Sequence, residues 1–228
     1  MREIALDTET TGLDPDSGHR IVELGCVELV NHVPTGRVYH QYLNPERDMP
    51  EEAAAVHGLT AERLAGEPVF ATVADAFMEF IGDAPLVIHN AAFDMKFLNA
   101  ELRRLGRPAI PNSRAVDTLT IARRKFPGAG ASLDALCRRY GVDSSERTLH
   151  GALLDAQLLS EVYLELLGGR QPDLALRDDP TTTGVAARAA RNARAPRPHA
   201  ASAEELAAHR TFLAKLKDPL WREISAED

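Results

Sequence analysis

The hydrophobic period of the chain changes once, near Pro50, and that change limits the folds open to it. Before it, Ile4 to Thr8, Arg20 to Val30 (RIVELGCVELV) and Arg37 to Leu43 (RVYHQYL) alternate apolar and polar residues and read as strands. The turn-rich stretches Gly12 to Gly18 and Asn31 to Gly36 separate them, which indicates an antiparallel start. After it, apolar residues recur three and four apart in Glu51 to His57, Val69 to Ile81, Ala91 to Leu105, Thr118 to Lys125, Ser132 to Tyr140 and Gly151 to Leu167. The short apolar run Pro85 to Ile88 interrupts them as a buried strand. Asn90 stands where it would cap the next helix, and Gly106 with Pro108 where they would stop it. Strands first, then alternating helix and strand, predict an α/β fold with a mixed sheet flanked by helices, over residues 1–169.

Beyond Gly168-Gly169 the composition shifts. Residues 184–201 hold four arginines, no acid and many alanines, so 170–202 reads as a flexible linker. Residues 203–228 regain Leu206, Phe212, Leu213, Leu216, Leu220 and Trp221. These are too few for a core and too apolar for a solvated tail, as in a segment that orders on a partner. A mostly disordered C-terminal extension is the expectation.

Charge and cysteine usage exclude several classes. The net charge of -8 is unsuited to holding nucleic acid by electrostatics alone, so any phosphate chemistry here needs cations. The two cysteines, Cys26 and Cys137, lie in apolar patterns and offer neither a disulfide framework nor a cysteine-rich zinc site. No run approaches the roughly 18 apolar residues of a membrane span, and the opening Met-Arg-Glu-Ile lacks the basic and apolar regions of an export signal. A cytoplasmic protein is expected.

Four acids stand where acids are expensive. In "IALDTETTGLD", Asp7 and Glu9 project from one side of a strand, because residues two apart share a face. For that pair alone, a solvated strand end and a cation site are both open readings. Asp94, however, shares its helical face with Ala91, Phe97, Leu98 and Leu105, and Asp155 precedes Leu158, Leu159 and Val162 at helical spacing. An arginine could pair with one of them. Four acids from three segments are better explained by hard divalent cations, which take oxygen ligands. His150, five residues before Asp155, belongs on the loop or first turn ahead of that helix. It reads either as a surface histidine or, given the acids, as a general base.

The blocks "LDTETTGL", "IHNAAFDMKFL" and "HGALLDA", in this order over about 170 residues, resemble the DEDDh branch of the 3′–5′ exonucleases. Within that branch the chain most resembles the proofreading subunits of replicative DNA polymerases, through "AAAVHGLT" around His57, "LGGRQPDLAL" after the helix that carries Asp155 and the tail stretch "AHRTFLAKLKDPLW". The resemblance implies a ribonuclease-H-like sheet and two divalent cations, Mg²⁺ or Mn²⁺. Asp7, Glu9 and Asp155 would hold one ion, Asp7 would bridge to the second, and Asp94 would orient that ion's waters. His150 would accept a proton from the attacking water, and a nucleoside 5′-monophosphate would leave the 3′ end of single-stranded or frayed DNA.

The implied substrate contacts are Asp7, Glu9, Thr10, Leu13, Glu52, His57, His89, Asn90 and Asp155, with Leu13 a wedge against the terminal base. Glu52 also reads as a first-turn acid favourable to a helix dipole, and Asn90 as a plain cap. Gln171 to Leu176 (QPDLAL) resembles a sliding-clamp-binding peptide, and 203–228 resembles a tail that binds the polymerase catalytic subunit. Free-standing oligoribonucleases and RNA-trimming exonucleases share the catalytic residues. A catalytically silent nucleic-acid-binding module would have lost one of them, and all five are present.

Overall fold

The computed structural model describes residues 1–145, 149–169 and 200–217. The chain divides into two units, Met1–Leu174 and Ala175–Asp228. In the first, β1 (Arg2–Thr10), β2 (Ile21–Val30) and β3 (Val33–Tyr42) form an antiparallel meander. The short β4 (Leu86–Ile88) and β5 (Ala115–Asp117) continue it in parallel, in the order β3-β2-β1-β4-β5.

The central strand β1 is covered on both faces, which is why its middle, Ile4-Ala5-Leu6, is apolar without alternation. Ile4 and Leu6 point into one core with Ile21, Leu24 and Cys26 of β2, beneath α3 (Phe70–Ile81) and α4 (Ala91–Arg104). Phe77 and Phe97 of those helices are wholly buried, each contributing roughly 1.5–3 kcal/mol. Ala5 points the other way, into a second core with Val27, Leu29 and Val87. There α5 (Thr118–Lys125), α6 (Leu133–Tyr140) and α7 (Ala152–Leu166) pack. The same alternation sends Thr8 to the α4 side, and Asp7 and Glu9 to the α7 side. A bulge between Glu9 and Thr10 then shifts the register.

Two short helices, α1 (Glu51–His57) and α2 (Ala61–Leu64), are anchored by Leu59 and Leu64 against Val22. The sequence periodicity missed α2 and β5. Four and three residues are too short to show a period, and β5 is only half-buried.

Two expectations are corrected. The expected turn Asn31 to Gly36 is strand from Val33 onward, paired with Leu29 and Val30 of β2, so β3 begins four residues before Arg37. Asn90 occupies the cap position of α4, but its side chain makes no cap hydrogen bond because its backbone is left-handed, with φ 65°. Asp117 of β5 does the capping from across the sheet, its Oδ1 accepting from Asn90 N at 3.1 Å and Ala91 N at 3.5 Å.

In the second unit α8 (Ala203–Leu213) opens with a capping box. Ser202 Oγ accepts from Glu205 N at 3.2 Å, and Glu205 Oε2 accepts from Ser202 N at 2.8 Å. Leu206 and Phe212 are exposed on it. The expected linker between 170 and 199, the Gln171 to Leu176 peptide, Leu220 and Trp221 lie outside the described residues. No helix among the described residues is long and apolar enough to cross a membrane.

Candidate active site

Three segments bring the acids together at the C-terminal end of β1. Asp7 and Glu9 arrive on the strand, Asp94 in the first turn of α4, and Asp155 in the first turn of α7. Glu9, Asp94 and Asp155 are buried, at 8%, 3% and 3% exposure. This is the expensive arrangement their positions in the sequence imply.

The approach of α7 depends on Gly25. It lies opposite Asp7 in the β1–β2 register, and a Cβ there would overlap the main chain of Ala152 and Leu153. A side chain at 25 would therefore hold the start of α7, and Asp155 with it, away from Asp7. Gly151 precedes the helix in extended conformation, and its carbonyl accepts from Asp155 N at 2.8 Å, closing the first turn.

Electrostatics within the cluster follow from this crowding. Burial, then the charges of Asp94, Glu9, Asp155 and Glu23, hold the Asp7 carboxyl well above the usual carboxylate range. Burial also pushes Asp94 up to about 7, against the Thr8 hydroxyl that donates to Asp94 Oδ1 at 2.7 Å. Glu9, Asp155 and His150 each offer a ligand atom, and these atoms lie within 4.8 Å of one another. His150 sits on the loop ahead of α7, half-exposed, with Nδ1 3.3 Å from Asp155 Oδ2. Its main-chain N–H donates to Val56 O of α1 at 3.1 Å. Four carboxylates so crowded that burial holds Asp7 and Asp94 toward the neutral form fit a hard divalent cation, which would remove the penalty on their charges.

The remaining expected contacts fall on two sides of the acids. Thr10, Leu13, Glu52 and His57 line a groove of about 640 Å³ that also takes in Thr8, Glu9 and Phe93. Leu13 is 85% exposed. His57 is buried, and burial lowers its pKa, so the ring is neutral near pH 7. Its Nδ1 accepts from Leu59 N at 3.1 Å, which assigns the proton to Nε2. That Nε2 has no well-formed hydrogen bond, although the Thr10 main chain is nearby.

His89 and Asn90 instead line a second cavity, of about 500 Å³, with Asp7, His150, Asp155 and Arg123. His89 Nδ1 lies 2.9 Å from Thr118 Oγ1, and burial lowers its pKa as well.

Sequence reasoning missed Thr8, Gly25 and Asp117. Asp117 carried a readable signal, an acid directly before a helix, and Asp117 Oδ1 does accept from Leu119 N at 3.0 Å. Its reach to α4, the hydroxyl of Thr8 and the close pass over Gly25 have no local signal.

Comparison with known proteins gives the family. The family model described as Exonuclease matches residues 4–163. The DNA polymerase III subunit epsilon of Rickettsia felis is 58% identical over 186 residues, 80% of this chain and 81% of that protein. The same subunit of Escherichia coli K12 is 46% identical over 238 residues, 97% of each chain. Among solved structures, Exonuclease X in complex with 5′ overhanging duplex DNA is 26% identical with TM-score 0.57, covering 73% of this chain and 90% of that one. The nuclease domain of 3′hExo, a DEDDh family member bound to rAMP, shares the fold with TM-score 0.63 at 20% identity, over 73% of this chain and 91% of its own. The chain belongs to the exonuclease family and, within it, to the epsilon subunits of DNA polymerase III.

Proposed function

We propose that the acid cluster hydrolyses the 3′-terminal phosphodiester of single-stranded or frayed DNA, releasing a nucleoside 5′-monophosphate as the proofreading step of a replicative polymerase. The 3′–5′ exonuclease activity and the use of divalent metal ions come with the family. The observation that carries the residue assignment is the convergence of four acids, three of them buried, beside a half-exposed histidine.

Asp7, Glu9 and Asp155 would hold one Mg²⁺ or Mn²⁺, and Asp7 with Asp94 would serve a second. Such ions supply charge neutralisation and acidify water that they bind. The chain's own groups do the rest. His150, oriented by Asp155, accepts the proton of the attacking water. Thr10, Leu13, Glu52 and the His57 Nε2–H hold the terminal nucleoside in the groove, with Leu13 against its base. His89 and Asn90 face the nucleotide on the leaving-group side.

The tail 203–228 would bind the polymerase catalytic subunit, supported by a likeness to the E. coli epsilon subunit that extends over 97% of both chains. The exposed Leu206 and Phe212 of α8 offer apolar contacts. Gln171 to Leu176 would bind the sliding clamp. Truncation after about residue 180 should spare nuclease activity and abolish polymerase association. A 168–178 peptide should bind the clamp and lose binding on Gln171→Ala.

The central test is digestion of 3′-mismatched DNA, matched DNA and RNA with Mg²⁺ or EDTA, with and without the polymerase subunit. Asp7→Ala and Asp155→Ala should each abolish the metal-dependent activity while the domain stays folded. Activity surviving either change would refute the assignment.

A further inference from the structure

The two cavities flanking the acids pose an electrostatic problem that the acids cannot solve. Hydrolysis to a 5′-monophosphate leaves the penultimate nucleotide on the side away from the Thr10–His57 groove. On that reading, its own 5′-phosphate would fall in the second cavity, which Asp7 and Asp155 line. Bound cations answer the scissile phosphate, but the next phosphodiester meets a protein of net charge -8. A positive group is needed one nucleotide away.

Arg123 supplies it. It lies on α5 four residues after Leu119, so both side chains share the helical face that lines this cavity. Its mount is stiff, because Asp117 ties the start of α5 to the start of α4 through Leu119 N and Asn90 N. Arg123 also differs from seven arginines elsewhere in the domain. Arg2, Arg20, Arg37, Arg63, Arg103, Arg104 and Arg107 are each paired with a carboxylate. Among the described residues no acid lies within ion-pair distance of Arg123, although its charge is felt at His89. A guanidinium without a carboxylate, held beside a nuclease centre, has the planar donor geometry for two phosphate oxygens.

We propose that Arg123 takes the phosphodiester one nucleotide 5′ of the scissile bond, making chain length a determinant of specificity. The proposal rests on the reading above, in which the terminal nucleoside occupies the Thr10–His57 groove. Arg123 positions the strand and takes no part in bond cleavage.

The test uses the full chain with Mg²⁺ and three substrates: the p-nitrophenyl ester of thymidine 5′-monophosphate, which has one phosphodiester; oligothymidylate; and the same oligomer with a neutral methylphosphonate at the second linkage from the 3′ end. The readout is the ratio of kcat/KM on each oligomer to that on the ester. Loss of a charge-assisted phosphate contact should lower the all-phosphate ratio roughly 10- to 100-fold in Arg123→Ala, mostly through KM, with partial recovery in Arg123→Lys. The methylphosphonate should lower the wild-type ratio similarly and leave Arg123→Ala with little further loss. An unchanged all-phosphate ratio in Arg123→Ala, or full additivity of the two changes, would overturn the proposal while leaving the exonuclease reading intact. Wild-type protein inactive on both ester and oligothymidylate would overturn the reading on which it rests. Thermal unfolding of Arg123→Ala should match wild type, since the side chain is exposed and has no ion-pair partner among the described residues.

Discussion

Gly25 and Ala152 meet main chain to main chain: the start of α7 crosses β2 where no Cβ can fit, directly beside Asp7. A glycine in a strand interior ordinarily weakens the strand, so this one is tolerated for the approach it permits. Two parts of the chain far apart in sequence thereby place Asp155 within electrostatic reach of Asp7.

Gly25→Ala should therefore act on catalysis more than on folding. The methyl group must push α7 and Asp155 outward, and displacements of about 1 Å at a catalytic group can cost on the order of 100-fold in turnover. The strain itself should cost about 1–3 kcal/mol. Gly66→Ala is the control, because nothing lies within 4 Å of a Cβ there. The paired measurement is kcat on 3′-mismatched DNA and thermal unfolding. Near-normal turnover in Gly25→Ala would show that α7 adapts without moving Asp155.

Thr8→Val should weaken the apparent affinity for metal. The valine keeps the shape but removes the hydroxyl that donates to Asp94 at 2.7 Å. A hydrogen bond to a charged group is worth about 1.5–3 kcal/mol, so the metal concentration for half-maximal activity should rise roughly tenfold or more. Thr8→Ser should restore it. Titration of activity with Mg²⁺ decides the outcome, and an unshifted midpoint in Thr8→Val would remove Asp94 from the metal-dependent step.

Much of this arrangement was legible in the sequence. Asp94 and Asp155 stood out because helical spacing put each on an apolar face, where a charge demands a partner. That logic needs no tertiary information. Asn90 shows its limit: the residue type and position fit a cap, yet the left-handed backbone turns the task over to Asp117 from another strand. Gly25 was invisible for a related reason. A glycine inside an alternating strand says only that something comes near, and what comes near here is a helix more than a hundred residues later. The burial of His57 was equally hidden, since its neighbours in the short α1 are mostly exposed.

Asp94→Asn should stabilise the metal-free protein while abolishing activity. Burial raises the Asp94 pKa in the folded state to about 7, above its value of about 4 in an unfolded chain. The folded state thus holds the proton more tightly. Its contribution to stability is full below about pH 4 and is lost as pH rises through about 7. In EDTA the asparagine variant should gain on wild type with rising pH, reaching on the order of 2–4 kcal/mol at pH 8. His57 and His89, with lowered pKa values, shift both proteins alike and cancel in the difference. Divalent cation should erase the gain by stabilising wild type selectively. A difference in unfolding free energy that stays flat from pH 5 to 8 would contradict the prediction.

His150→Gln should separate turnover from binding. The imidazole is half-exposed, and its Nδ1 lies 3.3 Å from Asp155 Oδ2, so it is oriented by the cluster without supporting the core. Removing a proton acceptor should lower kcat by roughly 10²- to 10⁴-fold and leave KM within a few-fold. The loop that carries it is pinned through His150 N to Val56 O and by Leu149 against Gly58, on the same helix that brings Glu52 and His57 to the groove. That connection supplies a second arm. Gly58→Ala puts a Cβ 2.7 Å from Leu149 Cδ1 at a position of positive φ, so it should loosen the His150 loop and lower kcat by a smaller factor. Steady-state kinetics on a 3′-terminal mismatch resolve both effects. If His150→Gln raised KM with kcat intact, His150 would be a binding group, and the general base would have to be sought elsewhere in the cluster.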